Sequence, residues 1–510
     1  MDTCSKSFLV CLFFYLVFFL APTGTATCQV RHHVENGPRT IVTTDGEIDD
    51  VDSFIRMLLY ANEFQLEGLI YSSSMWHYKG DEKGTLFTSE MEMTRNMYGA
   101  KTSLRWPGVS WMNPLLDAYE QVYPKLTQHA NGYPTAAYLR SVVRVGNIDF
   151  EGDMRTDTEG SNFIKEKLLD DNLEPLYLQV WGGTNTIARA LKSIEDQYKG
   201  SAEWESIYKK VTDKAILYAI LDQDATYRNY IAPNWPDLKV YYNSNQFWCL
   251  AYPWKRAVPE GQHYLLEGKF MAEEIIQQHG PLLSQYYSYG DGQAQLGDDE
   301  HIHGDPNRLQ ETQWGSFGKY DFISEGDSPA FLHLVDVGLD NINQPQWGGW
   351  GGRLVQSLEQ PNRWEDGKNA QDFNPYKQAM DPTYPQIRWI EALQQDFAGR
   401  ADWCVRDFAD ANHPPKVEVV GAVQKQAKAG EKITLGVAVS DPDGDEVSTQ
   451  FWVYAEVGSY AGNPVLVQKG TRVEVALDPI VTGTLHVIAE VKDKGIHPMS
   501  RYCRFVIEVN

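Results

Sequence analysis

The chain has 510 residues and a formal net charge of −24, with 69 acidic against 45 basic side chains. This excess of negative charge argues against nucleic-acid binding, because phosphates require a basic surface. The 15 Trp and 28 Tyr residues permit stacking against sugar rings, although most aromatic side chains are expected in the core. The length predicts two or three domains.

The first residues have the pattern of a targeting signal. Lys6 precedes an apolar run from Phe8 to Ala21, and small residues follow as far as Ala26. We expect residues 1–26 to be a cleaved signal peptide and the mature protein to be secreted, either extracellular or periplasmic. An uncleaved anchor is the alternative, but the run is shorter than the ~20 apolar residues that span a bilayer. No stable membrane span is therefore expected.

The segment from Thr40 to Tyr71 predicts one βαβ unit. The β-branched run Thr40–Thr44 is typical of a buried parallel strand, and an acidic turn at residues 45–50 follows it. Apolar residues then recur at helical spacing from Val51 to Leu59, and a second apolar strand ends at Tyr71. The turn carries four carboxylates: Asp45, Glu47, Asp49 and Asp50. It lies at the carboxyl end of a strand, where α/β folds place their sites.

Four carboxylates this close repel one another unless a positive charge lies among them. Asp45 at the strand end, with Asp49 and Asp50 at the helix start, could approach one ion from two sides. Calcium prefers such all-oxygen sites. The alternative is that Asp49 or Asp50 only caps the helix while the other acids are solvated. One capping residue suffices for a helix, so four acids favour a calcium site.

The pattern Asp-x-x-x-Asp-Asp after a strand rich in Val and Thr resembles the entry motif of the nucleoside hydrolases. That resemblance implies a mainly parallel, Rossmann-like α/β fold and a calcium ion that holds the sugar hydroxyls and the attacking water. The segments 43–50 and 67–73 are most similar to a secreted branch with a C-terminal immunoglobulin-like sandwich, often described as cellulose-binding proteins. By this resemblance Asp45 is a metal ligand and the general base, Asp49 holds a sugar hydroxyl, and Asp50 binds the metal.

The loop Ser72–Tyr78 follows the second strand and should overhang the same sheet edge. In the family this loop lends a polar side chain to the sugar or the metal, so Ser73, Ser74 and His77 are candidate substrate contacts. A solvated loop is the alternative for each of them.

The segment Leu176–Ala190 predicts a strand, a Gly-Gly turn and a helix. No Lys follows the turn and the dinucleotide fingerprint is missing, so a phosphate site is not expected. The segment resembles the family's Thr-Gly-Pro-Leu-Thr-Asn-Ile-Ala motif, which implies that the backbone carbonyl of Trp181 is a calcium ligand. Downstream, Asp222, Asp224 and Asn234 are candidate sugar contacts by position alone, because the family's own motif is not recognisable there.

The segment Ser324–His333 contains the last site motif. Nucleoside hydrolases have a His-Asp pair in this part of the chain, and Asp327 matches the Asp that binds calcium. Gly326 stands where the family has the His that lies near the leaving base. Without that His, Glu325 or a loop residue such as His303 has to donate the proton, and Glu325 is the predicted second catalytic residue.

Three further motifs leave alternatives open. The pair of His residues in Asp298–His303 could bind a transition metal, but a solvated loop is favoured because no third ligand is fixed by spacing. The segment Trp347–Arg353 is either a lid over a sugar or a glycine-rich turn with a buried Trp. Four cysteines of the mature chain permit two disulfides in any of three connectivities: Cys28, Cys249, Cys404 and Cys503.

At residues 412–415 the hydrophobic period changes from helix to strand, which marks a linker. We expect a nucleoside hydrolase-like α/β domain over residues 37–412. Over residues 414–510, about seven short strands are typical of an immunoglobulin-like sandwich. Asp441–Asp445 could bind calcium, but it lacks the spacing of a full loop site and is expected to be a β-turn.

Together these patterns predict a secreted, calcium-dependent hydrolase of N- or O-glycosidic bonds to a furanoside-type sugar. Asp45 would activate the water, while Asp45, Asp50, Asp327 and the Trp181 carbonyl would bind calcium. The expected partner is a small sugar, a nucleoside or a cell-wall polysaccharide, and the oligomeric state is left open. The alternative is a non-catalytic protein that binds cellulose or cell-wall glycan with the same fold.

Overall fold

The computed structural model describes residues 37–297 and 303–510. The predicted signal peptide at residues 1–26, Cys28 and His301 lie outside the described residues. Among the helices of these two ranges, none has both the length and the apolar character needed to cross a bilayer.

In the described residues, eight strands form one sheet in the N-terminal part of the chain. Their order across the sheet is β3-β2-β1-β4-β5-β6-β8-β7, and all neighbours are parallel except β7 and β8. The predicted, mainly parallel α/β fold is therefore confirmed. The strands are β1 (Arg39–Thr44), β2 (Gln65–Tyr71), β3 (Val143–Val145), β4 (Leu176–Val180), β5 (Ala215–Ile220), β6 (Lys239–Asn243), β7 (Val355–Gln356) and β8 (Arg363–Glu365).

The strand order shows where the topological switch point of this sheet lies. From β1 the chain moves outward to β2 and β3, then returns to the other side of β1 with β4. The topological switch point therefore lies between the carboxyl ends of β1 and β4, where open α/β sheets bind their ligands. Both strands are buried at every position, as expected for central parallel strands covered on both faces.

Helices and short helical turns connect and cover the strands. The longest, α3, contains Pro124 but continues to His129. The α-helices of the described residues are α1 (Ile48–Leu59), α2 (Glu92–Tyr98), α3 (Met112–His129), α4 (Ala136–Ser141), α5 (Glu159–Leu169), α6 (Asn185–Tyr198), α7 (Trp204–Lys214), α8 (Ala232–Asn234), α9 (Trp254–Ala257), α10 (Gly268–Phe270), α11 (Gly280–Leu283), α12 (Ser328–Leu332), α13 (Tyr384–Ile387) and α14 (Ile390–Trp403).

The C-terminal part is an all-β sandwich of two four-stranded sheets, with strand orders β9-β11-β14-β13 and β10-β16-β15-β12. Apolar side chains from both sheets share one core. The strand that the sequence pattern misses is β10, whose polar sequence shows no apolar alternation. The strands are β9 (Lys416–Val419), β10 (Gln424–Ala427), β11 (Lys432–Ser440), β12 (Val447–Val453), β13 (Val465–Lys469), β14 (Arg472–Ala476), β15 (Gly483–Asp493) and β16 (Ser500–Val509).

Buried polar contacts join the sandwich to the α/β part. Arg501 of β16 forms an ion pair with Asp396 of α14, with 3.0 Å between Nη1 and Oδ2. The glycine-rich segment Trp347–Arg353 lies at the same interface, where Trp350 is fully buried and Arg504 packs over the ring of Trp347. This segment is a turn with a buried Trp at a joint between domains, not a lid.

No disulfide joins the described cysteines Cys249, Cys404 and Cys503 to one another. The Sγ atom of Cys249 lies 3.2 Å from the carbonyl oxygen of Gln246, and burial raises the pKa of this thiol. Any bond to Cys28 falls outside the described residues.

Candidate functional site

The acidic turn bends sharply at the carboxyl end of β1. Gly46 has a φ of +79°, and a Cβ at this position would lie 2.5 Å from Nε1 of Trp111. Only glycine combines this backbone conformation with so close an approach. The hydroxyl of Thr44 donates a hydrogen bond to Asp50, which ties the end of β1 to the first turn of α1. The turn is therefore held by local contacts that direct its acids toward the switch point.

Three carboxylates converge at this edge of the sheet. Asp49 and Asp50 come from the first turn of α1, and Asp327 comes from the residue before α12. Each offers an oxygen, and these oxygens lie within 4.8 Å of one another. Calcium–oxygen distances of about 2.3–2.6 Å place ligand oxygens up to about 5 Å apart, so this donor set fits a calcium ion.

Burial and mutual repulsion raise the pKa values of these carboxyls. Burial, and then the charge of Asp45, raises the pKa of Asp49 to about 7. Burial also raises the pKa of Asp50 and of Asp327 well above the usual range, and neighbouring carboxylates add to both shifts. In the absence of a cation the site therefore disfavours its own charged form, and a bound cation would remove this penalty.

Asp45 lies beside this group, with 2 % of its surface exposed. Its Oδ1 accepts a hydrogen bond from the N–H of Glu47 at 3.4 Å, and its buried Oδ2 has no donor at normal hydrogen-bond distance among the described residues. Burial raises the pKa of Asp45, while the nearby side chains of Ser74 and Asp50 lower it. Gly182, just after β4, leaves the space for this carboxylate, because a Cβ there would lie 2.8 Å from Cγ of Asp45. A buried oxygen without a donor is costly unless a ligand satisfies it.

Trp181 lies at the carboxyl end of β4, opposite Asp45 across the switch point. Its carbonyl oxygen accepts a hydrogen bond from Nε2 of Gln223 at 2.7 Å. A carbonyl oxygen has two lone pairs, so one acceptor position remains. The role of Trp181 as a metal ligand stays a prediction. Gln223, which holds this carbonyl in place, is a site residue that sequence analysis missed.

A second group of polar side chains surrounds Glu47. The hydroxyl of Tyr252 donates a hydrogen bond to Oε1 of Glu47 at 3.0 Å, and Nε2 of His77 lies 3.8 Å from Oε2. Arg105 approaches the same carboxylate at 4.0 Å, and the ring of His303 lies 5.6 Å from that of Tyr252. Burial, and then the charge of Asp49, raises the pKa of Glu47 to about 8. Arg105 and Tyr252 lie in segments without a recognisable motif, so no sequence signal indicated them.

The predicted contacts Ser73 and Ser74, in the loop after β2, are both buried. Ser73 donates a hydrogen bond to the carbonyl of Phe150 at 2.8 Å and accepts one from Nδ2 of Asn185 at 2.9 Å. Ser74 accepts a hydrogen bond from the N–H of Trp76 at 2.9 Å. Both hydroxyls thus shape the loop, and their roles as substrate contacts stay predictions.

The three residues chosen by position do not form one group. Asp224 is buried and accepts a hydrogen bond from the N–H of Asn185 at 2.9 Å. Asp222 is buried after β5 and accepts hydrogen bonds from the N–H groups of Tyr227 and Arg228 at 3.3 Å. Asn234 is exposed on α8, and its Nδ2 donates to the carbonyl of Tyr230 at 2.8 Å. Among the described residues, no recorded hydrogen bond or ion pair links Asn234 to the acidic turn.

Glu325 is fully buried and enclosed by partners. Its Oε2 lies 3.0 Å from Nη1 of Arg56 and accepts a hydrogen bond from Oγ of Ser328 at 2.8 Å. Its Oε1 accepts a hydrogen bond from the hydroxyl of Tyr286. These partners favour a carboxylate that supports the segment before α12, rather than one that reaches a leaving group.

Two family descriptions match the chain. Residues 39–354 match a family described as cellulose-binding Sde182, nucleoside hydrolase-like domain. Residues 432–509 match the C-terminal domain of the cellulose-binding protein Sde0182. None of the curated proteins matches the chain.

One solved structure is similar over almost the whole length. It is a nucleoside hydrolase-related hypothetical protein from Saccharophagus degradans, described as associated with carbohydrate metabolism. The match has 24 % identity and a TM-score of 0.67, and covers 93 % of this chain and 100 % of the other. A plant nucleoside hydrolase matches 72 % of this chain and 99 % of its own at 10 % identity, but its TM-score of 0.31 is too low to support a conclusion about this chain. The structural similarity to the Saccharophagus degradans protein confirms the fold.

Proposed function

The chain belongs to the nucleoside hydrolase-like family of cellulose-binding Sde182 proteins, and from this premise we propose that it is a secreted, calcium-dependent hydrolase of glycosidic bonds. The proposed substrate carries a furanoside-type sugar. The observation that supports this proposal is the convergence of Asp49, Asp50 and Asp327 beside the unsatisfied Oδ2 of Asp45.

In the proposal, Asp50 and Asp327 hold the calcium ion together with Asp49, which the family resemblance had assigned to a sugar hydroxyl. Asp45 and the carbonyl of Trp181 are further predicted ligands. Bound calcium would lower the pKa of a coordinated water and hold vicinal hydroxyls of the sugar. The carboxylates of the site also favour the positive charge that develops on the sugar ring in an oxocarbenium-like transition state.

Asp45 is the proposed general base. Its Oδ2 is the buried acceptor without a donor, and a general base needs such a free lone pair to accept a proton from water. The N–H of Glu47 and the adjacent Gly182 restrict the position of this carboxylate. A positioned base typically contributes about 10²- to 10⁴-fold to the rate.

We propose that the proton donor to the leaving group belongs to the polar group around Glu47. The predicted donor, Glu325, has both oxygens engaged by Arg56, Ser328 and Tyr286, so we propose that it is a positioning residue. Glu47 accepts a hydrogen bond from Tyr252, and burial raises the pKa of its carboxyl to about 8, which favours a protonated group that can donate.

The experiment compares wild type with Asp45→Asn on nucleosides, aryl pentofuranosides and cell-wall oligosaccharides, with calcium and with a chelator. Asp213→Asn is the matched control, because Asp213 is exposed on α7 and pairs only with Lys209 in the described residues. We expect turnover of at least one substrate class, loss of 10²-fold or more in Asp45→Asn, and no change in the control. Turnover that survives removal of calcium would contradict the metal requirement.

A second candidate function is glycan binding without turnover. The observation that favours it is Gly326, which replaces the His that nucleoside hydrolases have near the leaving base. A binding protein needs no general base, so Asp45→Asn would then keep its affinity for cellulose or cell-wall oligosaccharides. This function would be selected if wild type binds calcium but shows no turnover, and if Asp45→Asn binds glycan with the same affinity as wild type.

A further inference from the structure

The loop between β11 and β12 places three more carboxylates together. Oxygens of Asp441, Asp443 and Asp445 lie within 4.8 Å of one another. Oδ1 of Asp441 accepts hydrogen bonds from the N–H groups of Asp443 at 2.9 Å and Asp445 at 3.0 Å. Its Oδ2 is shielded from solvent and has no donor in the described chain. The chain bends at the predicted β-turn, but a bend needs only one of these acids.

A side chain from outside the loop points into the same space. Asn412, in the linker between the domains, is 6 % exposed, and its Oδ1 is buried with no hydrogen-bond donor among the described residues. A Cβ at Gly495 would collide with this oxygen and would lie 2.6 Å from Oδ2 of Asp445. Oδ1 of Asn412 and Oδ2 of Asp445 therefore lie on either side of one small space next to Gly495.

The hydrogen bonds of Nδ2 determine the orientation of the Asn412 amide. Nδ2 donates hydrogen bonds to Oδ1 of Asp493 at 3.0 Å and to the carbonyl of His497 at 3.1 Å. Rotating the amide by 180° would break both bonds and point its oxygen at two acceptors. Oδ1 is thus held near the carboxylate of Asp445, whose negative charge would repel it unless a cation lay between them.

We propose that the Asp441–Asp445 loop and Asn412 bind a divalent cation, with the chemistry of calcium, at the junction of the two domains. Carboxylate and amide oxygens are the ligands that calcium prefers, and the two orphaned oxygens, Oδ2 of Asp441 and Oδ1 of Asn412, become ligands. Magnesium is less suited, because it requires near-ideal octahedral geometry and retains its waters. This site is separate from the acidic turn after β1 and does not depend on the proposed hydrolysis.

The site would stiffen the linker. Asp443 accepts hydrogen bonds from the N–H of His413 at 2.7 Å and from Nδ1 of its ring at 2.9 Å. Nε2 of His413 lies 2.9 Å from Nδ1 of His129 on α3. A cation bound to this loop therefore acts on side chains that connect the sandwich to the α/β domain.

The test measures bound calcium per chain in the full-length mature protein, by calorimetry and by metal analysis after dialysis. The variants are Asp445→Asn and Asp441→Asn, and the second keeps Oδ1 as the acceptor for both backbone amides. Asp478→Asn is the matched control, since Asp478 caps another turn of the sandwich. We expect both loop variants to bind one calcium fewer than wild type and the control, and to lose part of the calcium-dependent rise in melting temperature. Equal stoichiometry in all four proteins would overturn the proposal, whatever the result for Asp50→Asn.

Discussion

Gly326 lies directly against the carboxylate of Asp49: a Cβ at Gly326 would be 2.7 Å from Oδ2 of Asp49. Nucleoside hydrolases have a His at the matching position, beside the leaving base. In this chain the space is taken by Asp49 itself, whose Oδ2 also accepts a hydrogen bond from Oγ of Ser324 at 3.4 Å. The departure from the family motif is therefore coupled to the position of a proposed calcium ligand.

Gly326→Ala should weaken calcium binding. The added methyl group forces the Asp49 carboxylate to rotate away from Asp50 and Asp327, and we expect at least a tenfold loss of affinity, about 1.4 kcal/mol. The free energy of unfolding should change by less than about 1 kcal/mol, because a single side-chain carboxylate has to move. Calorimetry measures the affinity, with Gly261→Ala as the control because nothing lies within 4 Å of a Cβ there. Unchanged affinity in Gly326→Ala would show that Asp49 is not a ligand.

Asp50→Asn should have opposite effects with and without calcium. Without calcium, the variant removes a carboxyl whose charged form is disfavoured by burial and by the charges of Asp45 and Asp49, so its free energy of unfolding should rise. With calcium at 100 times the dissociation constant, wild type gains about 2.7 kcal/mol and the variant far less. The side-chain oxygen of Asn still accepts the hydrogen bond from Thr44. Urea unfolding in calcium and in chelator measures both values, and equal gains would exclude Asp50 as a ligand.

Arg56→Met should destabilise the α/β domain. Arg56 and Glu325 are both fully buried, and the change leaves the Glu325 carboxylate without its positive partner. Removing one partner of a buried ion pair typically costs about 3–5 kcal/mol. Arg56→Met/Glu325→Gln should recover part of this loss, because neither member of the pair then carries a charge. Denaturant unfolding tests the pair, and a loss below about 1 kcal/mol for the single variant would contradict its structural role.

His129 should make stability depend on pH. Its ring packs against those of Trp403 and His413, and burial lowers the pKa of His129 to about 4. Between about pH 6.5 and pH 4 the unfolded chain binds a proton here that the folded chain does not, so the free energy of unfolding falls as pH falls. His129→Gln removes this titration and should flatten the slope in that window. Urea unfolding at several pH values measures the slopes, and identical slopes would contradict the prediction.

The βαβ unit and its acidic turn could be predicted from sequence, because both depend on neighbours in the chain. β-Branched residues at Thr40–Thr44, helical spacing after Asp50 and the resemblance to nucleoside hydrolases lead to the fold, the family and the place of the site. Asp327 was found by resemblance alone. The polar strand β10 was missed because no apolar alternation marks it.

Only the tertiary structure decided which side chains meet at the switch point. The sequence predicts Glu325 as a catalytic residue, but in the structure it is paired with Arg56. Tyr252 and Gln223 belong to no motif, yet Tyr252 contacts Glu47 and Gln223 contacts Trp181. Asn412 likewise reaches a carboxylate of a loop that follows three strands of the sandwich. Hydrophobic period and motif spacing report which residues share a strand or a helix face, whereas contacts between distant segments depend on how the whole chain packs.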